Sequence, residues 1–312
     1  MDRETSQRLE QRLGRLHARL RLGIEKETRP RVFGNGINFF HPENWYSFPS
    51  LIRNSLRLVG LYRRGQRNTL DIRVREHEVH LPGLPQAFDG FTLLQLSDIH
   101  ADLYPPAVHA MVDRVRELDY DACVLTGDYR AQTHGPVEPA LEWMRVLMHG
   151  LRQPIYGVLG NHDSIAMLPG LEEMGIRMLL NENVTLERDG ERLYLVGIDD
   201  AHYYRVDNLE KAVQQIPPAA TTILLSHTPE IYRLAAHAGF GLMLCGHTHG
   251  GQICLPGGIP VTLDAKCPRH MGSGSWEYQG MRGYTSVGTG SSIVNVRLNC
   301  PPEVTLHRLR SA

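Results

Sequence analysis

Two histidines stand two residues apart in GHTHGGQ (246–252), where His247 and His249 are surrounded by glycines. Residues i and i+2 of an extended segment point to the same side, and glycine lets backbone or ligand approach closely. Two imidazoles that converge in this way are typical of a metal site. A metal ion needs more ligands than two, so the remaining donors must come from elsewhere in the chain.

Polar clusters follow short apolar runs at several other places. They read SDIH (97–100), GDY (127–129), GNHD (160–163) and SHTPE (226–230). Together with GHTHGGQ they supply seven donors: Asp98, His100, Asp128, Asn161, His227, His247 and His249. This number is too large for one tetrahedral ion and suits two metal ions that share a carboxylate, about 3.5–4 Å apart. Imidazole and carboxylate donors without thiolate favour Mn, Fe or Zn over Ca or Mg.

The charge of such a metal pair indicates a substrate class. Two divalent ions carry more positive charge than Asp98, Asp128 and a bridging hydroxide neutralise, so the site attracts an anion such as a phosphoryl group. The ions can hold two phosphoryl oxygens while the hydroxide attacks in line. His162 is not needed as a ligand. We predict that it protonates the leaving oxygen as general acid and that Asp163 orients it.

The apolar runs before these clusters have the length of β-strands. They are FTLLQLS (91–97), ACVLTG (122–127), IYGVLG (155–160), LYLVGI (193–198), TILLS (222–226) and LMLCG (242–246). Helical patterns occur between some of them, at residues 105–118, 137–150, 207–215 and 229–238. Alternating strands and helices predict an α/β domain, in which ligands bind beyond the carboxyl ends of the strands. Residues 250–284 predict a long loop near the site.

The N-terminal residues 1–68 differ from the α/β domain, which we assign to residues 69–312. Leu9, Leu13, Leu16 and Leu20 recur at helical spacing among arginines, and residues 51–68 combine apolar and arginine side chains without an acid. Both stretches predict amphipathic helices with basic faces. One interpretation is a helical arm packed on the main domain. The other is a peripheral contact with an anionic membrane.

Composition limits the remaining possibilities. The 312 residues are 42% hydrophobic and 21% charged, with a formal net charge of −1, which is ordinary for a soluble globular protein. Near-neutral charge argues against nucleic acid as a partner. The five cysteines form no CxxC pair, and no signal peptide or membrane span is evident. We therefore expect a cytoplasmic protein, with peripheral attachment at the inner membrane as the alternative that the arm raises.

As a set, these motifs resemble the calcineurin-like metallophosphoesterases. The matching elements are Asp98-Ile-His100, Gly127-Asp128, Gly160-Asn161-His162-Asp163, His227 and Gly246-His247-Thr248-His249. The resemblance covers roughly residues 88–310 and implies a two-sheet α/β sandwich flanked by helices. It also implies that one metal binds Asp98, His100, Asp128 and His249, and the other Asp128, Asn161, His227 and His247.

Within that family the chain looks closest to the YkuE-like bacterial phosphodiesterase branch, which includes a lipid A pathway pyrophosphatase that cleaves UDP-2,3-diacylglucosamine. The better-known branch of that pyrophosphatase carries arginine where this chain has His162. The expected substrate is thus a phosphodiester or pyrophosphate, with a lipid-linked nucleotide as one candidate. The alternatives are a generic phosphodiesterase for a small soluble or nucleotide substrate, and a non-catalytic metal-bound scaffold.

Overall fold

The computed structural model describes residues 3–27 and 48–312. Its helices are α1 (Arg3–Leu13), α2 (Arg15–Glu27), α3 (Phe48–Leu58), α4 (Tyr62–Asn68), α5 (Pro105–Arg116), α6 (Glu138–Met148), α7 (Leu168–Glu173), α8 (Leu209–Ala212) and α9 (Tyr232–His237). None of these helices is long and apolar enough to cross a membrane. Residues 28–47 of the predicted arm lie outside the described residues.

Two six-stranded sheets form the centre of the protein. The strands are β1 (Arg73–Leu81), β2 (Thr92–Leu96), β3 (Ala122–Leu125), β4 (Ile155–Gly157), β5 (Ile176–Met178), β6 (Glu182–Arg188), β7 (Glu191–Gly197), β8 (Thr222–Leu225), β9 (Leu242–Cys245), β10 (Cys254–Leu255), β11 (Ile259–Pro260), β12 (Gly274–Tyr278), β13 (Met281–Thr285) and β14 (Glu303–Ser311). The first sheet has the order β1-β14-β2-β3-β4-β5 and the second β12-β13-β9-β8-β7-β6. The short strands β10 and β11 pair separately as a hairpin.

Strand residues alternate between two hydrophobic cores. Leu93 and Val124 face the layer between the sheets, whereas their neighbours Leu94 and Leu125 face α5, α6 and α7 on the outer side of the first sheet. Successive strand side chains point to opposite faces, so strands that are apolar throughout can bury both faces. The helices α8 and α9 cover the outer side of the second sheet. The predicted two-sheet α/β sandwich flanked by helices is thereby confirmed.

The predicted loop 250–284 contains more structure than its glycines and prolines indicate. Strands β12 and β13 form an antiparallel hairpin at the edge of the second sheet. The turn between them places Gln279 at φ 49° and Gly280 at φ 82°, and two positive φ angles are what a tight two-residue hairpin turn needs. Trp276 is buried while its neighbour Glu277 is exposed, an alternation that the surrounding turn residues obscure in the sequence.

The N-terminal arm is also divided more finely than predicted. Gly14, at φ 87°, separates α1 from α2, so the leucines of the first stretch do not share one face. Leu9 and Leu13 are buried, whereas Leu16 is 73% exposed. The second stretch divides likewise into α3 and α4. Helices α1 and α2 contact the α/β domain through buried and ion-paired side chains, whereas α3 and α4 keep an exposed basic surface.

Candidate metal centre

All seven predicted donors follow strands that run parallel to at least one neighbouring strand. Strands β2, β3 and β4 are parallel in the first sheet, and β8 and β9 in the second. The donors that follow these strands are, in order, Asp98 and His100 (β2), Asp128 (β3), Asn161 (β4), His227 (β8), and His247 and His249 (β9). Because the carboxyl ends of the strands meet at one edge of the sandwich, side chains from five loops share one small volume.

Most of these donors hold an unusual backbone conformation. Positive φ angles occur at Asp98 (52°), His100 (44°), Asp128 (58°), His247 (72°) and His249 (50°). Such angles are disfavoured for residues with a side chain, cost about 1–3 kcal/mol each and cluster at functional sites. Five of the seven donors thus have a strained backbone, and this conformation directs their side chains into the site.

One group of donors gathers around Asp98. The Nε2 atom of His249 lies 3.3 Å from Oδ1 of Asp98 and 3.1 Å from Nε2 of His100. Ligand atoms of these three residues lie within 4.8 Å of one another, and all three residues are buried. They supply a carboxylate and two imidazoles to a single point.

A second group gathers around His227. Its Nε2 atom lies 2.9 Å from Oδ1 of Asn161, 3.3 Å from Oδ2 of Asp128 and 3.2 Å from Nδ1 of His247. The same Oδ2 atom of Asp128 lies 3.7 Å from Nε2 of His100 in the first group. Asp128 therefore stands between the two groups, where a shared carboxylate has to be.

The histidine rings are oriented as metal ligands. Nδ1 of His100 lies 2.8 Å from the carbonyl oxygen of Arg130, and Nδ1 of His227 lies 2.8 Å from that of Thr126. A carbonyl oxygen only accepts, so Nδ1 carries the hydrogen and Nε2 of the neutral ring offers its lone pair to the site. Each lone pair meets another donor atom at about hydrogen-bond distance, and a cation between them satisfies both. The donor set thus fits a pair of divalent ions.

Electrostatics at the centre also favour cations. Burial, reinforced by the charge of Asp128, raises the pKa of the Asp98 carboxyl to about 6. Burial opposes protonation of His227, but the carboxylates of Asp128 and Asp98 outweigh it and raise its pKa to about 10. A cation bound to this ring would displace that proton and take over its positive charge. By contrast, burial lowers the pKa of His100 to about 3, which keeps that ring neutral as a ligand must be. Two buried carboxylates draw positive charge into the site, and divalent ions supply it.

His162 lies beside the donors, and the Nε2 atom of its ring faces them. Its Nδ1 atom is 2.7 Å from the carbonyl oxygen of Ala131, and its Nε2 atom is 3.9 Å from Oδ2 of Asp128. The carbonyl of Ala131 therefore fixes the ring and directs Nε2 into the site. The side chain is only 7% exposed, so little bulk water surrounds it.

Asp163, which was predicted to orient His162, makes side-chain contacts with the backbone of two loops. Its carboxylate accepts hydrogen bonds of 2.8 Å from the backbone amides of Asp128, Tyr129 and Gly160. Two strand-end loops present unpaired amides at this buried position, and a carboxylate satisfies them. Asp163 therefore ties the loop after β3 to the loop after β4.

Two glycines of the motifs lie so close to donor side chains that no other residue fits. A Cβ atom on Gly160 would overlap the Asp128 carboxylate, and one on Gly246 would overlap the side chains of Ser97 and Asp98. The glycines next to these donors thus leave room for carboxylates to reach the centre.

Five further residues carry polar side chains in the loops around the donors: Tyr129, His134, Asp200, His202 and His270. The Tyr129 hydroxyl donates to the carbonyl of Val158, and the Asp200 carboxylate accepts from backbone amides of its own loop. His134 and His270 are exposed. His202 differs, because its buried ring lies 4.1 Å from that of His247, centroid to centroid.

One residue at the centre was missed from the sequence. Arg297 is fully buried. Its guanidinium donates to the carbonyl of Gly290 and lies 3.2 Å, through Nη2, from Nδ1 of His249. It braces the loop that carries His249. Arginine is rarely buried without a carboxylate, and no local pattern around residue 297 distinguishes it from a surface arginine.

Comparisons with known proteins agree with this geometry. The calcineurin-like phosphoesterase family matches residues 91–251, just over half of the 312 residues. The metallophosphoesterase YkoQ of Bacillus subtilis (strain 168) is 29% identical over 258 residues, which cover 79% of this chain and 93% of YkoQ. YkuE from the same organism is 27% identical over 253 residues, 77% of this chain and 86% of YkuE.

A third relative carries an activity in its name. Phosphodiesterase YaeI of Escherichia coli (strain K12) is 30% identical over 179 residues, which cover 50% of this chain and 58% of YaeI. The family match includes the four loops after β2, β3, β4 and β8 and the paired histidines after β9. The chain belongs to the calcineurin-like phosphoesterase family and is a phosphoric ester hydrolase.

Proposed function

We propose that this hydrolase cleaves a phosphodiester or a pyrophosphate with two divalent transition-metal ions, Mn, Fe or Zn. The observation that supports the proposal is the donor set, in which buried oxygen and nitrogen ligands converge in two groups with Asp128 between them. Two such ions, when bound, hold phosphoryl oxygens and activate a water molecule. The family assignment favours this enzyme over a non-catalytic metal-bound scaffold.

The ligands divide between the ions according to the two groups. Asp98, His100, Asp128 and His249 hold one ion, and Asp128, Asn161, His227 and His247 hold the other. His162 then acts as general acid: the Ala131 carbonyl holds its Nδ1–H, so Nε2–H is the proton that faces the leaving oxygen. Asp163 keeps the backbone of the two neighbouring loops in register.

A His162→Ala variant tests this assignment. General acid catalysis is worth about 10²–10⁴-fold and matters most for a poor leaving group. We expect kcat on a phenyl phosphodiester to fall within that range, while kcat on the 4-nitrophenyl analogue falls far less. Metal content, measured by mass spectrometry, should remain at the wild-type value. His149→Ala, which removes an exposed histidine, is the control; equal losses on both esters would refute the role of His162.

We further propose a lipid-linked substrate, such as UDP-2,3-diacylglucosamine, taken from an anionic membrane surface. The support comes from α3 and α4, where five arginines and no acid occur between residues 48 and 68 and where Leu58 is 89% exposed. The hairpin β10–β11 adds Leu255 and Ile259, which are 54% and 57% exposed. Basic charge beside exposed apolar side chains is typical of peripheral membrane binding.

These surfaces lie next to the metal centre. The carbonyl of Gly65 in α4 accepts a hydrogen bond from the backbone amide of Arg297, whose guanidinium braces the His249 loop. The hairpin packs closely against the same loop. Pro260 lies so near Gly251 that a Cβ atom on this glycine would be only 2.6 Å from it. These contacts connect both surfaces to the loop that carries His249, which supports a lipid as substrate.

The substrate proposal is tested by two hydrolysis rates. One is measured on UDP-2,3-diacylglucosamine in phosphatidylglycerol vesicles, and the other on a soluble nitrophenyl phosphodiester. We expect the lipid to be cleaved faster. Replacing Arg63, Arg64 and Arg67 together by glutamate should lower the ratio of lipid to soluble rate at least about tenfold, since each basic residue near an anionic surface contributes about 1 kcal/mol. Faster cleavage of the soluble ester would favour the alternative, a small soluble or nucleotide substrate.

A further inference from the structure

The N-terminal helix α2 sends an arginine into the interior beside the metal centre. Arg21 has no exposed surface. Its Nη2 atom donates to the backbone carbonyl of Asp163 at 2.6 Å, its Nη1 atom donates to Oδ1 of Asp199 at 2.9 Å, and its Nε atom donates to Glu25 at 2.9 Å. The guanidinium also stacks over the ring of Tyr204, 3.4 Å from the ring centroid.

These contacts join the two sheets at the edge that carries the site. Asp163 lies in the loop after β4 of the first sheet. Asp199 lies two residues after the end of β7 in the second sheet. Glu25, one turn after Arg21, continues the clamp: it accepts hydrogen bonds from the Ser164 hydroxyl at 2.7 Å and from the Ile165 amide at 2.8 Å. Helix α2 therefore holds the three residues that immediately follow His162.

Attachment of the arm does not by itself require a buried cation. Arg12 of α1 already joins the arm to the domain through Glu182 at 2.8 Å, through Glu172, and through the Met178 carbonyl. That arginine is 30% exposed at its side chain and does not touch the loop of His162. A buried ion pair is a poor source of stability because desolvation offsets its attraction. What distinguishes Arg21 is its position.

We propose that Arg21 is a positioning residue of the hydrolytic reaction, which fixes the peptide after His162 against Asp199 so that the general acid faces the metal centre. The inference rests on the proposed role of His162. It makes α2 part of the active-site framework, although its residues precede the matched family region by about 70 positions. Loss of the Arg21 contacts should leave the donors in place and turn the general acid away.

The experiment compares Arg21→Met with Arg12→Met in the full-length protein. The readout is the ratio of kcat on a phenyl phosphodiester to kcat on its 4-nitrophenyl analogue, because a misplaced general acid slows the ester with the poorer leaving group more. We expect Arg21→Met to lower it about 10–100-fold, as a misplacement of about 1 Å does. Arg12→Met should lower the melting temperature and keep the wild-type ratio. Circular dichroism and metal content verify that each variant is folded and loaded.

A second pair of variants makes the result independent of folding losses. Arg21→Met leaves the Asp199 carboxylate buried without its partner, so the double variant Arg21→Met/Asp199→Asn removes both charges and should fold more readily. It should show the same reduced ratio. In a His162→Ala background, Arg21→Met should not lower the ratio further, since residues that act as a unit are not additive.

The outcomes separate the two hypotheses. A folded, metal-loaded Arg21 variant with the wild-type ratio would overturn the positioning role of Arg21, whatever its effect on stability. An unchanged ratio in His162→Ala itself would instead overturn the general acid on which the inference rests. A reduced ratio in Arg12→Met equal to that in Arg21→Met would show that arm attachment, and not this contact, orients His162.

Discussion

Asp128 lies between the two groups of the metal centre and contacts both. Its Oδ2 atom lies 3.3 Å from His227 and 3.7 Å from His100, and its Oδ1 atom accepts the backbone amide of His162 at 2.9 Å. One carboxylate thus faces a donor of each group and also anchors the backbone of His162, the proposed general acid. Burial opposes ionisation of this carboxyl, but the charges of the neighbouring histidines outweigh it and hold its pKa well below its usual range.

An Asp128→Asn variant should lose more metal than any other ligand substitution. Asparagine retains the size of aspartate and one oxygen, but it removes the negative charge that the two proposed ions share. We expect at most one bound ion per chain instead of about two. We also expect kcat to fall at least about 10³-fold, which corresponds to about 4 kcal/mol of transition-state stabilisation. Mass spectrometry of the dialysed protein measures the metal, and a nitrophenyl phosphodiester measures turnover.

Asp119→Asn is the matched control for this substitution. The Asp119 side chain is fully exposed and pairs with Arg152 at the surface, so the change removes the same charge far from the centre. Its metal content and turnover should equal those of the wild type. If Asp128→Asn retained a full complement of metal, the carboxylate would not be shared and the division of ligands would have to be revised.

Among the secondary-structure elements, the strands that carry donors were predictable from the sequence. Each donor cluster follows an apolar run at the position where a buried strand has to end, so residue type and local pattern carry the information. The hairpin β12–β13 was missed, because its turn at Gln279 and Gly280 and its glycines are typical of a loop as well. The contact of Asp163 could not be predicted either, since its partners are backbone amides, which every sequence offers.

Helix α2 shows a different limit. Its periodicity predicted a helix, but nothing local indicates that Arg21 turns inward while Arg19, two positions earlier, remains exposed. The reason is that the partner which stabilises a buried Arg21, Asp199, lies 178 positions away in the chain. Asp199 follows a strand, as the donor clusters do. Its pairing with the arm depends on a packing that only the folded chain defines.

At the scale of the whole molecule, Arg21 and Asp199 couple stability to pH. Burial raises the pKa of the Asp199 carboxyl, but the charge of Arg21 and a hydrogen bond from His17 outweigh it, so the pKa in the folded protein lies below its usual value. In the unfolded chain the pKa of this carboxyl is about 3.9. The unfolded state therefore binds more protons in acid, and the stabilisation present above about pH 4 is lost as the pH falls.

This coupling gives a measurable slope. In chelator-treated protein, the free energy of unfolding in urea should decrease as the pH is lowered from about 5 to about 3, and Asp199→Asn should remove up to about 1.4 kcal/mol per pH unit from that slope, the value for one proton. The variant should also be less stable at pH 7, because Arg21 remains buried with one fewer charged partner. Asp119→Asn, at an exposed site, should keep the wild-type slope. Parallel curves for Asp199→Asn and wild type would mean that the carboxyl titrates alike in both states, and that the pair joins the sheets by geometry without contributing to the acid sensitivity of the fold.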